Sequence, residues 1–168
     1  GMTQTGYDSH ENLIKWRANG YVKKGDGFVN AAYMDMLLPY AAGALYSTTG
    51  DLLIWDQALL TEKLLKAKSK DEMYTPVKGN YAYGWSVGTR GTRKSIGHGG
   101  GIFGFATQIS RFPDDRVTVV VLSNVQGAGV GAVANNLSAI AFGEPATLPI
   151  ERKAITLPSQ TLDKYVGE

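Results

Sequence analysis

The sequence predicts an α+β fold in which an antiparallel β-sheet is flanked by helices. Three observations lead there. The second half of the chain carries successive β-rich segments joined by connections too short for parallel crossovers. Two stretches, one on either side of those segments, carry apolar residues at helical spacing. The 168 residues are 43% hydrophobic and 19% charged, enough chain and enough apolar side chain for one ordinary globular domain with a real core.

The elements follow in order. Residues 2 to 30 are polar and mixed, and Gly20, Gly25 and Gly27 interrupt any period, so this stretch reads as loop with a short helix near Glu11 to Ala18. Small residues then lead to Thr48 and Asp51 at capping-box spacing, with the carboxylate suited to a helix N-terminus. A helix is predicted from Thr49 to Leu60, its Leu52, Trp55 and Leu59 on one core-facing side. A short second helix ends at Met73 or Tyr74, because Pro76 disfavours helix in the residue before it. Tyr81, Tyr83, Trp85 and Val87 alternate with small or polar residues, the pattern of a half-buried strand with an aromatic core face. Arg93 to His98, Phe105 to Phe112 and Arg116 to Leu122 are the further strands. Turn chemistry at Gly88–Gly91, the glycine run and Pro113–Asp115 separates them into a meander. Five of the six residues 117–122 are apolar, which predicts a strand covered on both faces. The predicted cover is a helix from Val130 to Ala141 with Val130, Val133, Ala134, Leu137, Ile140 and Ala141 as its packed stripe.

Chemistry concentrates in residues 97–105, Gly-His-Gly-Gly-Gly-Ile-Phe-Gly-Phe, where one of the two histidines stands at the mouth of a glycine run. Backbone N–H groups there can approach a ligand without Cβ obstruction, and a titratable imidazole beside free donors is what acyl transfer requires. A lone histidine among glycines is also commonly just a turn residue. Gly99, Gly101 and Gly104 spell a dinucleotide fingerprint, but the β-formers that follow reject the helix this motif must open. Gly127-Ala-Gly-Val-Gly-Ala132 meets the strand-to-helix context, yet no buried parallel strand with a ribose-binding acid comes after it.

Lys plus Arg exceed Asp plus Glu by two and are dispersed, so no nucleic-acid or anionic-membrane footprint is present. No segment reads as a membrane span. Without cysteine there is no disulfide framework or thiolate zinc site. With two distant histidines no metal site is expected, and no cofactor is expected either.

The succession Gly-Met-x-x-Thr-Gly-Tyr (1–7), Tyr-Ala-Ala-Gly-Ala-Leu-Tyr-Ser-Thr (40–48), Asp-Leu-x-x-Trp (51–55), Tyr-Gly-Trp (83–85), the glycine run (97–105) and Leu-Ser-Asn (122–124) resembles the serine β-lactamase-like family. That group holds class C β-lactamases, D-Ala-D-Ala carboxypeptidases, D-aminopeptidases and esterases. The resemblance implies a partial β-lactamase/transpeptidase-like fold with the active site at the edge of the strand that carries the Lys-Thr-Gly motif, here His98-Gly99-Gly100. By the same analogy His98 and the N–H of Gly101 are catalytic, the latter as an oxyanion donor, and Gly99 and Gly100 line the substrate. His98 stands where the family motif has Lys, and Gly99 where it has Thr or Ser, which removes a hydroxyl that would bind a substrate carboxylate. A periplasmic or extracellular setting is the family's usual one.

The larger departure is the nucleophile. No serine in the chain is followed three residues later by lysine, and in the family that motif precedes the segment with which this sequence opens. Residues 1–143 are therefore expected to be the C-terminal portion of the hydrolase domain, and 144–168 a linker and the start of a further, truncated domain. Two functions remain open. One is a fragment of a hydrolase that takes a small acyl or peptide substrate in the full-length protein, inert alone. The other is a non-catalytic ligand- or partner-binding module derived from the fold. In the resembling fold the strand at 117–122 pairs with a strand from the preceding portion, so an exposed strand edge and a homo-oligomer through it are expected.

Overall fold

The structure, a computed structural model, describes residues 1–9 and 11–147. Its centre is a four-stranded antiparallel sheet, β5 (Ser86–Arg90), β6 (Arg93–Ile102), β7 (Phe105–Phe112) and β8 (Val117–Ser123), in simple meander order. Two small two-stranded ribbons lie outside it, β1 (Gly6–Tyr7) with β4 (Leu45–Tyr46), and β2 (Tyr21–Lys24) with β3 (Gly27–Asn30). Helices α2 (Thr49–Leu59), α3 (Ala67–Met73) and α4 (Val130–Ala141) match the predicted spans to within a residue where the prediction gave an end. The single-turn α1 (Tyr40–Gly43) was not predicted.

Side chains alternate across a strand, and the register assigns the two faces. Val87, Ile96, Arg111 and Thr118 stand in line on one face, with His98 and Ile109 also on it. Leu59 of α2, with Trp55, Met73 and Tyr74, packs here around Ile96 and Trp85. Trp55 stacks on Trp85 at 5.5 Å between centroids, so the helix face read from the sequence is a core face. Inside this layer lies a buried ion pair. Arg111, 2% exposed, donates from Nε to a carboxylate oxygen of Asp56, 4% exposed. Its Nη1 also donates to the Tyr74 hydroxyl at 2.7 Å, and its guanidinium lies 5.6 Å from the Trp85 ring.

The start of α2 is capped as its sequence requires. Thr48 Oγ1 accepts from the Asp51 N–H at 3.2 Å. The Asp51 carboxylate does not close a reciprocal box; it accepts from the Thr5 hydroxyl at 2.7 Å and the Gln4 N–H at 2.8 Å. The Thr5 bond above all holds its pKa below the ordinary carboxylate value, against the opposing effect of burial. This carboxylate thus fastens the N-terminal segment to the helix.

Helix α4 covers the opposite face, through Phe142 edge-on to Phe112 at 5.0 Å and the Arg93 guanidinium over Phe142. Of the expected stripe Ala134 is buried, but the packed side is turned toward Ser138 and Ala139. Ala134, Ser138 and Ala139 are buried, whereas Val133, Leu137 and Ile140 are exposed, Ile140 by 61%. Small residues allow close approach to this sheet face, and the Ser138 hydroxyl is satisfied by the Ala134 carbonyl at 2.8 Å. Strand β8 is accordingly less covered than its composition predicted: Val119 is buried and Leu122 is exposed.

Other expectations also change. Residues 11–18 form bends and turns instead of a helix, with Trp16 at φ 63°. The glycines taken as breakers at 25 and 27 make the β2–β3 hairpin, because Gly25 at φ 58° supplies the turn. The strand expected from Tyr81 begins at Ser86, and Tyr83, 69% exposed, lies outside the core. The glycine run is strand up to Ile102, and the turn is Phe103-Gly104. Of the linker and following domain expected over 144–168, residues 148–168 lie outside the described residues. No helix among the described residues is long and apolar enough to cross a membrane.

Removing one member of the buried pair strands the other charge. Asp56→Ala is expected to lower unfolding free energy by about 3–5 kcal/mol in urea titrations. The double replacement Asp56→Leu with Arg111→Met is expected to cost less than either single change, and equal or additive losses would contradict this.

Candidate active site

The geometry begins with two tight hairpins. Arg90 pairs with Arg93 across a two-residue turn, and Ile102 pairs with Phe105 across another. In an antiparallel ladder, successive residues turn their N–H and C=O groups to alternate sides. From the first turn, the odd residues of β6 face β5; from the second, its even residues face β7. The two counts agree. Strand β5 starts at Ser86, opposite Gly97, so the N–H groups of Gly99 and Gly101 point past its end and have no strand partner there among the described residues. Gly97 to Gly101 are half-buried or exposed, and His98 is exposed among them.

The chain before β5 folds back along its outer edge. Val87 N–H donates to the Asn80 carbonyl at 2.8 Å, Tyr81 bridges to Ser86, and Ala82 N–H donates to the Trp85 carbonyl at 2.7 Å. This loop brings the Tyr81 hydroxyl to 2.9 Å from His98 Nε2, with the two rings edge to face at 5.7 Å. The other ring nitrogen, Nδ1, bonds the carbonyl of Gly99. A shallow groove of ≈ 320 Å³ runs beside them, its lining including Asn80, Ser86, Gly97, His98, Gly99 and Gln108.

All four residues singled out from the sequence, His98, Gly99, Gly100 and Gly101, therefore lie on one strand end. His98 and Gly100 direct their α-substituents to the α2 face, Gly99 and Gly101 to the α4 face. Tyr81 was missed as a site residue because it was read as core. Counting the register back from the turn at Gly91-Thr92 would have found it, since that register sets Ser86 opposite Gly97 and leaves the preceding chain beside His98. Chemically, the arrangement offers two outward N–H donors, a proton-carrying imidazole and a phenol at an open edge, a set suited to binding an anion or a developing oxyanion.

Comparison with known proteins gives one family. The Beta-lactamase family model matches residues 1–142. The putative penicillin-binding protein PbpX of Bacillus subtilis (strain 168) is 30% identical over 139 residues, covering 82% of this chain and 34% of that protein. The mitochondrial serine beta-lactamase-like protein LACTB of Homo sapiens is 29% identical over 162 residues, covering 77% of this chain and 30% of that protein. The chain thus spans about a third of the length of these curated relatives. Among solved structures, the octameric penicillin-binding protein homologue from Pyrococcus abyssi superposes with a TM-score of 0.70 at 23% identity, over 85% of this chain and 35% of that one. The fold is that of the penicillin-binding and β-lactamase proteins.

The glycines of β6 differ in what a side chain would meet. A Cβ at Gly97 would stand 2.5 Å from the Ile109 backbone carbonyl, whereas one at Gly99 meets the Gln108 side chain at 3.1 Å and the Thr107 carbonyl at an ordinary 3.8 Å. Gly97→Ala is expected to destabilise the sheet by about 1–3 kcal/mol in denaturant titrations. Gly99→Thr, which restores the hydroxyl of the family motif, should fold with less than about half the loss of Gly97→Ala. The reverse order would show that the β6–β7 spacing is not set at Gly97.

Proposed function

The chain belongs to the Beta-lactamase family, and we propose that it carries the substrate-binding strand of a serine hydrolase acting on D-amino-acid peptides, β-lactams or small esters through an acyl-serine. The observation that carries this reading is the open end of β6, where His98 and the outward N–H groups of Gly99 and Gly101 stand past the start of β5. In acyl transfer a serine oxygen attacks the carbonyl carbon, and the carbonyl oxygen becomes an anion that aimed N–H donors stabilise. In this reading Gly101 supplies one such donor, Gly99 and Gly100 admit the substrate backbone, and His98 binds substrate or carries a proton. The nucleophile comes from chain outside these 168 residues, since no serine here has the spacing to an activating lysine.

The same fold supports assembly through β8. The outer edge of β8 has no strand partner among the described residues, and the exposed Val133, Leu137 and Ile140 lie on the helix packed against it. Antiparallel pairing of β8 with its own copy would satisfy both edges at once.

The isolated chain is expected not to hydrolyse nitrocefin or p-nitrophenyl esters above background. Stoichiometric labelling of any serine in it by a fluorescent penicillin would overturn the assignment of the nucleophile. Within a longer chain that includes a Ser-x-x-Lys segment, His98→Ala is expected to lower kcat by about 10²–10⁴, and an unchanged kcat would remove His98 from the chemistry. Sedimentation at tens of micromolar should give a dimer or larger species that Leu122→Lys with Leu137→Lys shifts toward monomer. A wild-type monomer at that concentration would refute the assembly.

A further inference from the structure

We infer that Tyr81 is a positioning residue for His98: the Gly99 carbonyl sets the neutral imidazole as the Nδ1–H tautomer, and the phenol O–H of Tyr81 donates to Nε2 and holds the ring in place. Donor and acceptor capacity alone place the protons. The Gly99 carbonyl can only accept, so the ring nitrogen that bonds it, Nδ1, carries the hydrogen. A neutral imidazole then has its lone pair on Nε2, and the group 2.9 Å away, the Tyr81 hydroxyl, must be the donor. Both ring nitrogens are engaged, which fixes the ring plane as well as the tautomer.

Tyr81 is suited to this by its backbone. Its N–H donates to the Lys78 carbonyl at 3.0 Å, its carbonyl accepts from Val77 at 2.9 Å, and it bridges to Ser86. The side chain is 44% exposed, so burial of the ring does not by itself account for its placement. When Nε2 takes up a proton it becomes the donor to the phenol oxygen, and Tyr81 then turns its own hydrogen away from the ring, offering a donor to an anion at the strand end. The use of His98 rests on the proposed hydrolase reading. The tautomer does not, because it is set in the free chain without substrate.

The test is nitrogen-resolved NMR of the ¹⁵N-labelled 168-residue chain, above the pH range in which imidazole titrates. The chain has two histidines, so His10→Gln leaves His98 as the one imidazole in the spectrum. The chain with Tyr81 should give predominantly the Nδ1–H form with its Nε2 resonance displaced by the hydrogen bond it accepts, and Tyr81→Phe should keep the Nδ1–H form, held by the Gly99 carbonyl, while Nε2 moves toward the position of an imidazole nitrogen bonded only to water. Tyr83→Phe, at the neighbouring exposed tyrosine, should leave the Nε2 resonance at its wild-type position, which separates hydrogen bonding from a general effect on the loop. A wild-type spectrum dominated by Nε2–H, or an Nε2 resonance that is the same in Tyr81→Phe as in the wild type, overturns the inference. Either result leaves the hydrolase reading standing, and absence of any acyl-enzyme chemistry would leave the tautomer result intact.

Discussion

The buried pair of Arg111 with Asp56 is the constraint on which the α2 side of the sheet depends. Two charges this deep are tolerable only when each satisfies the other and the remaining donors find partners. Here the carboxylate comes from α2, a second acceptor from Tyr74 just past α3, and an aromatic face from Trp85 just before β5. One side chain of β7 therefore meets three chain segments that are distant in sequence. Displacing any of them exposes a polar group to an apolar layer that includes Leu59 and Ile96.

The candidate site depends on that constraint through Trp85. The residue is held against Trp55 and the core, and its carbonyl accepts from Ala82, which closes the loop that carries Tyr81. The loop in turn runs along the outer edge of β5 and reaches His98 past its end. The opposite side of β6 is held by β7, whose Ile109 carbonyl lies so close to Gly97 that no side chain fits there. The strand end is thus held by β7 on one side while the N–H groups of Gly99 and Gly101 on the other have no strand partner among the described residues, a combination that a freely mobile glycine loop would not provide.

Much of the fold was legible because period and capping are local signals. Thr48 and Asp51 announced α2, Pro76 the end of α3, and the stripe of α4 its length. The stripe named Ala134 but not Ser138 and Ala139 as the packed side, since periodicity names an apolar face but not the space available beneath it. Beneath α4 lies a sheet face rich in small residues, and Ala134 and Ser138 fit it more closely than Leu137. The Arg111–Asp56 pair was not legible, because two charged residues 55 positions apart carry no local sign of burial. Glycine misled in both directions. At 25 and 27 it was taken as interruption and built a hairpin, and at 99–101 it was taken as turn and formed strand. His98 and its neighbours were legible as a cluster because they are contiguous, whereas Tyr81 needed the register of a hairpin to be placed beside them.

Strand β6 outruns β5, and the N–H groups of Gly99 and Gly101 have no strand partner among the described residues. Residue-resolved amide hydrogen exchange on the native chain tests this most directly. Ile96, His98 and Gly100, whose N–H groups face β7, should be protected, while Gly99 and Gly101 exchange many-fold faster within the same strand. Equal protection of all five amides would mean that the strand end is paired, and the site as described would not exist.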